Sequence, residues 1–199
     1  MEQISETDED IKDIREEQTM TEHTLPARTT RRTITVKLTI AALFMAANII
    51  LSSFGMPVPG GHLYLNDIVI CLASILLDPL YAFCVGGIGA FLGDMIFYPA
   101  PMFVSLVTHG LQAVVISLIA HHLLKKKPVL ASAIAVAVGA VIMIAGYTFG
   151  RAYIYSTPEY AVLKLPFQIL QAGVGAVIGM ILCWPCRLSN LYYRLLRSR

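Results

Sequence analysis

Asp67 and Asp94, with His109, are a group of residues in this chain whose types could in principle do proton chemistry. Two carboxylates and an imidazole can act as general acid and base, or pass protons along a relay. The same three groups can instead grip a polar ligand, alongside Asn66, Gln112, Tyr147, Arg151, Gln168 and Gln171. Recognition asks less of them, since it needs neither a tuned pKa nor a reacting atom. Binding is therefore the preferred reading, and no residue is assigned a catalytic role. The motifs of other chemistries are absent. No Gly-Lys dipeptide occurs, so there is no Walker A loop, and Gly86-Gly87-Ile88-Gly89-Ala90 lies in an apolar run with no preceding strand. Neither His-Glu-x-x-His nor Gly-x-Ser-x-Gly is present. Cys183-Trp184-Pro185-Cys186 has the spacing of a redox or metal pair but no second pair, and reads as small apolar residues at a helix end. His121-His122 precedes Lys125–Lys127 with no acid nearby and reads as a basic loop. No metal and no cofactor are expected.

The elements that carry these residues are membrane helices. Of 199 residues 56% are apolar and 14% charged, with a mean hydropathy of +0.67. A soluble domain carries roughly 25% charged residues. Nine of the thirteen acids fall in the first 22 residues, and beyond Glu22 only Asp67, Asp78, Asp94 and Glu159 remain. Too few carboxylates are left to build a water-facing surface. No basic patch interleaved with aromatics suggests nucleic acid. The four cysteines lie in or beside apolar segments and do not form a secreted disulfide framework.

Residues 1–32 form a polar tail, acidic and then basic, expected to be disordered and without a signal peptide. Residues 33–186 hold the expected transmembrane domain, and 187–199 a basic tail. The apolar segments are 33–54, 65–77, 80–97, 102–124, 129–151 and 165–186. Crossing ~30 Å of hydrocarbon takes about 20 helical residues, so the second and third are short alone. Leu77-Asp78-Pro79-Leu80 reads as a turn between them, because a residue before proline avoids the helical region. A buried re-entrant hairpin in place of two spans is the alternative. The expected class is thus an all-α integral membrane protein of about six transmembrane helices. Thirteen of the fifteen Lys and Arg residues fall on one side of such a topology, leaving Arg151 and Lys164 on the other. That asymmetry places both termini in the cytoplasm.

With this topology the polar residues gather in the outer half of the bundle. Asn66 and Asp67 begin the second helix at its outer end, and Asp94 lies one turn below the end of the third. His109 and Gln112 fall roughly 10 and 15 Å below the outer end of the fourth. Tyr147 with Arg151, and Gln168 with Gln171, occupy the outer parts of the fifth and sixth. Convergence from five helices favours an outward-facing pocket over helix-to-helix glue. Tyr64, Tyr98, Tyr155 and other aromatics near the outer loops fit either an interfacial belt or a stacking surface. The segment 55–64, with two Pro and three Gly, is a candidate lid. Small residues four apart (Ala42 and Ala46, Gly89 and Gly93, Gly146 and Gly150, Gly175 and Gly179) suit close helix packing.

The run Leu65-Asn66-Asp67-Ile68-Val69-Ile70, then Leu76-Leu77-Asp78-Pro79-Leu80-Tyr81-Ala82, Val85-Gly86-Gly87-Ile88-Gly89-Ala90, Gly93-Asp94 and Thr108-His109-Gly110-Leu111 resembles a known family. It is similar to the substrate-capturing S components of energy-coupling factor (ECF) vitamin transporters, nearest the riboflavin, hydroxymethylpyrimidine and pyridoxine branch. The resemblance covers residues 33–182. It implies six helices in the cell membrane, a pocket in the outer half, and a small vitamin or precursor as ligand. It also implies a membrane coupling subunit and two ABC ATPases as partners, which alone would hydrolyse ATP. The family's Ala-x-x-x-Ala face, which docks the coupling subunit, is matched by Ala42 and Ala46. Asp78 stands where the family often has glycine, and the acidic tail is longer than usual. Aromatics and amides at the mouth favour a pyridine or pyrimidine compound. A proton-coupled carrier using Asp67, Asp94 and His109 is the alternative, and an intramembrane enzyme a third reading without a motif.

Overall fold

The computed structural model describes residues 31–124 and 126–197; the expected disordered tail falls, through residue 30, outside the described residues. The chain divides into two compact units, Met1–Lys37 and Leu38–Arg199. The first contributes only the opening turns of helix α1 (Arg31–Ser52) to the described residues.

In the second unit, α1 leads into a hairpin of β1 (Met56–Val58) and β2 (Gly61–Leu63). The helices α2 (Asn66–Leu76), α3 (Pro79–Phe97), α4 (Met102–His122), α5 (Pro128–Tyr155), α6 (Pro158–Cys183) and α7 (Leu188–Arg197) follow. Proline punctuates this order. Pro79, Pro128 and Pro158 each sit in the first turn of a helix, where the missing N–H costs no bond. Leu77 and Asp78 are extended before Pro79, so the expected turn between α2 and α3 forms there.

Among the described residues five helices, α1 and α3 to α6, are long and apolar enough to cross a membrane. The protein is an all-α integral membrane bundle. Helix α2 has 11 residues, which rise about 16 Å and cannot cross alone. Asp67 meets Gln171 and the backbone at Gly175, both near the middle of α6. Asn66 and Asp67 begin α2, as the sequence leads one to expect, and that start packs against the middle of α6. The hairpin fills the level above α2.

Val58 pairs with Gly61 across a two-residue tip, Pro59-Gly60. Pro59 followed by Gly60 at φ +81° is the pattern of a type II turn, in which only the second position needs positive φ. The segment 55–64 is therefore a short two-stranded hairpin rather than an irregular loop.

The small-residue pairs do pack helix against helix. A Cβ on Gly89 or Gly93 would meet Asn48 or Ser52 of α1, and one on Gly146 or Gly150 would meet Thr108 or Val104 of α4. Gly175 and Gly179 let α6 close on Asp67 and Cys71 of α2. Ala42 and Ala46, in contrast, are exposed on α1. The apolar core joins Leu72, Leu76 and Leu77 to Val85, Ile116, Val136 and Cys183, at the end of the bundle away from the hairpin. Ser74 and Ser117, buried there, donate to backbone carbonyls of Ile70 and Leu77. Helix α7 adds Tyr192 to that end.

Candidate functional site

Two helices widen into a π turn, α3 at Cys84–Ile88 and α5 at Arg151–Tyr155. Such turns insert one residue into the helical ladder and re-aim the side chains that follow. The second π turn starts at Arg151, whose side chain reaches the hairpin: Nη1 donates to Gly60 O at 2.7 Å. Lys164, on α6, donates Nζ to His62 O at 2.5 Å. Gln171, two turns further along α6, accepts from the Tyr64 N–H at 3.1 Å and donates Nε2 to Asp67 Oδ2 at 2.7 Å. Helices α5 and α6 thus hold the hairpin by three side chains, all bonded to its backbone or to the residue that follows it.

Beneath the hairpin lies a cavity lined by His62, Tyr64, Asn66, Asp94, Tyr98, Pro101, His109, Met143, Tyr147, Arg151, Tyr155, Lys164, Gln168 and Gln171. Its free volume is about 30 Å³, room for a water or two. Vitamin-sized ligands occupy pockets of about 300–1,000 Å³. The space is too tight for a ligand of that size, which enters only if the hairpin or its neighbours move.

On the α3–α4 side, Ser105 donates to Asp94 Oδ2 and lies 2.5 Å from the Tyr147 hydroxyl. Behind the cavity wall, Gln112 donates Nε2 to Asp67 Oδ1 at 3.3 Å, and its Oε1 lies 2.7 Å from His109 Nδ1. With the amide so oriented, His109 Nδ1 is the donor to Gln112 Oε1. The His109 ring meets Tyr147 edge-on at 5.1 Å. Gln168 donates to the Ile144 carbonyl at 2.9 Å and so also ties α6 to α5. Burial of Tyr64 between hairpin and bundle pushes its phenol up to about 12, so it remains a hydrogen-bond donor at any ordinary pH.

Of the nine binding residues expected from sequence, Asn66, Asp94, His109, Tyr147, Arg151, Gln168 and Gln171 line the cavity. Asp67 and Gln112 stand one layer behind and fix His109 and Gln171. Of the aromatics near the outer loops, Tyr64, Tyr98 and Tyr155 line the cavity, whereas others there, Phe54, Phe97, Tyr153 and Tyr160, are exposed. Lys164, His62 and Ser105 were missed. Lys164 was placed in a loop because α6 was begun at Leu165. The signal was present: Thr157-Pro158 is a helix start, and Lys164, Gln168, Gln171 and Gly175 fall on one helical face. Among the described residues no cluster of three metal-binding side chains occurs.

Membrane-length helices converging on a polar cavity under a backbone-latched hairpin define a multi-pass membrane protein with a candidate site at one end of its bundle. The sequence model of the "ECF-type riboflavin transporter, S component" family matches residues 32–187, and the chain belongs to that family. It is a substrate-binding subunit of an ECF transporter, a transport component and not an enzyme. It is also similar to a Pyrococcus woesei protein named "Uncharacterized protein in gap 3'region", 32% identical over 126 residues, 62% of this chain and 82% of that one.

Proposed function

We propose that the cavity beneath the hairpin is the substrate site, and that its ligand is a flat heteroaromatic vitamin or precursor bearing a pyrimidine or pyridine edge. Riboflavin, for which the family is named, carries such an edge and is the first candidate; a B6 vitamer or hydroxymethylpyrimidine is the smaller alternative. The observation that carries the reading is the lining itself. Amide, carboxylate and imidazole groups from four helices face one space walled by Tyr64, Tyr98, Tyr147 and Tyr155. Rings stack on such walls, and buried polar groups left unpaired by a wrong ligand supply discrimination. Asn66 Oδ1 is a buried acceptor with no partner among the described residues, and Asn66 lines the cavity.

In this reading the hairpin end faces outward and both termini lie in the cytoplasm of a cell-membrane protein, as the placement of Lys and Arg favours. The hairpin is the lid. Ala42 and Ala46, exposed one turn apart on α1, dock the membrane coupling subunit, and two ABC ATPases drive release of the ligand inside. The proton-carrier alternative meets a physical obstacle. The polar groups around Asp67, Asp94 and His109 end against the apolar core of Leu72, Leu76, Leu77 and Ile116, where buried Ser74 and Ser117 already donate to backbone carbonyls. Uptake by the reconstituted complex tests the choice. ATP-dependent uptake that loses ligand affinity in Asp94→Asn but is indifferent to a pH gradient supports the binding subunit. Uptake by the chain alone, driven by a pH gradient and abolished in Asp94→Asn, refutes it.

A further inference from the structure

Recognition of a neutral ring does not call for the two cations of the cavity, which also latch the hairpin. Arg151 is 8% exposed and Lys164 2%, yet among the described residues no carboxylate comes within ion-pair distance of either. A buried charge without a counter-charge is costly. Each cation donates to a hairpin carbonyl, Arg151 to Gly60 and Lys164 to His62, and the Arg151 guanidinium also lies 5.3 Å from the centre of the Tyr155 ring. Arg151 Nε and His62 Nδ1 are buried with no partner at all. The carboxylates of the site are committed elsewhere, Asp94 to Ser105 and Asp67 to Gln112 and Gln171. The cavity is therefore bipolar, with Asp94 on the α3–α4 side and two under-satisfied cations on the α5–α6 side.

We infer that Arg151 and Lys164 form an anion subsite, and that the ligand carries a carboxylate or phosphate monoester on its heteroaromatic ring. The inference rests on the reading of this cavity as the substrate site. A guanidinium presents a planar fork and an ammonium a point charge, a pairing suited to either anion. Carbonyl oxygens carry only partial charge, so an anion outcompetes them. As it binds, the Gly60 and His62 carbonyls are displaced, and the hairpin latch is exchanged for the ligand. The backbone approach that makes this exchange local is built in. A Cβ on Gly60 (φ +81°) would meet the Lys164 backbone N at 2.9 Å, and one on Gly61 (φ +148°) would meet Arg151 Nη1 at 3.0 Å. Glycine at these dihedrals lets the hairpin backbone lie against the α6 backbone at Lys164 and against the Arg151 guanidinium.

The test uses matched pairs of one ring, neutral and anionic: riboflavin and flavin mononucleotide, pyridoxine and pyridoxine 5′-phosphate, nicotinamide and nicotinate. The first two pairs probe a phosphate and the third a carboxylate. Binding to the full-length protein in detergent is measured by calorimetry at constant ionic strength. In at least one pair the anionic member binds about 10- to 150-fold tighter, as a hydrogen bond to a full charge predicts. Arg151→Gln and Lys164→Gln lower its affinity more than that of its neutral partner, and Lys164→Arg restores the preference. The wild-type preference stands whether or not a variant folds. If the neutral member binds equally or more tightly in every pair that binds, the anion subsite is overturned and the heteroaromatic reading survives. If none of the six binds to folded protein, both are overturned.

Discussion

Replacing Gln171 by leucine isolates the link between hairpin and bundle. The side chain is 5% exposed and makes two bonds, from the Tyr64 N–H at 3.1 Å and to Asp67 Oδ2 at 2.7 Å. Leucine approximates its volume and removes both. A bond to a neutral backbone group is worth about 1 kcal/mol and one to a carboxylate about 1.5–3 kcal/mol in water-soluble proteins. Within membranes polar interhelical bonds average about 0.6 kcal/mol. The expected loss is therefore about 1–3 kcal/mol, with Asp67 still held by Gln112. At about 2–4 °C per kcal/mol this lowers Tm by about 2–12 °C. The local consequence is sharper. Tyr64 follows β2 directly, so loss of its anchor raises hairpin opening about fivefold for each kcal/mol. Hydrogen exchange followed by mass spectrometry reads both effects. Amides of residues 56–64 exchange faster, while those of α3 and α4 change only with the global loss. Unchanged exchange across the hairpin, in a variant whose Tm has fallen, would refute the view that Gln171 latches it.

Three further outcomes follow from particular contacts. Gly86→Val drives a Cβ to within 2.7 Å of Ala113 Cβ and 2.8 Å of the His109 carbonyl, so α3 and α4 separate and stability falls by about 1–3 kcal/mol or more; Gly173→Ala, which meets nothing within 4 Å, is neutral or gains up to about 1 kcal/mol, and thermal unfolding in detergent compares the two. Ala42→Trp with Ala46→Trp abolishes co-purification with the coupling subunit while ligand binding by the isolated chain persists, because both alanines are exposed on α1. The raised Tyr64 phenol binds its proton more tightly folded than unfolded, so its contribution is whole below about pH 10 and fades as pH climbs towards about 12; Tyr64→Phe removes that share of the alkaline fall in Tm.

Much of the bundle could be read from residue order because lipid restricts the choices. Apolar runs bounded by proline gave helix ends within a few residues for α2, α3 and α4, and Asp78-Pro79 marked the turn between the first two of these. The start of α6 was missed because Lys164 looked like a loop charge; its ammonium is buried only because the hairpin supplies a carbonyl 102 positions earlier in the chain. The packing partner of the start of α2 was not legible for a related reason. Nothing local says that its first turn lies against the middle of α6, since that follows from Gly175 admitting Asp67. Polar residues inside apolar helices were conspicuous, so the cavity's membership was largely visible. Which of them face the cavity and which stand behind it depends on helix rotation. Asp67 and Gln112 are told apart from Asp94 and His109 only by the fold. The hairpin itself showed only as a segment rich in Gly and Pro, because strands of three residues carry no periodicity.

The most direct test of the central claim is thermal stabilisation of the purified chain by a panel of heteroaromatic vitamins, their precursors and their anionic forms. The account predicts one strong response among them, worth about 2.7 kcal/mol at 100 times the dissociation constant, and its loss in both Asp94→Asn and His109→Ala. A vitamin that stabilises wild type and both variants equally would contradict it, because the cavity beneath the hairpin would then not be where the substrate binds.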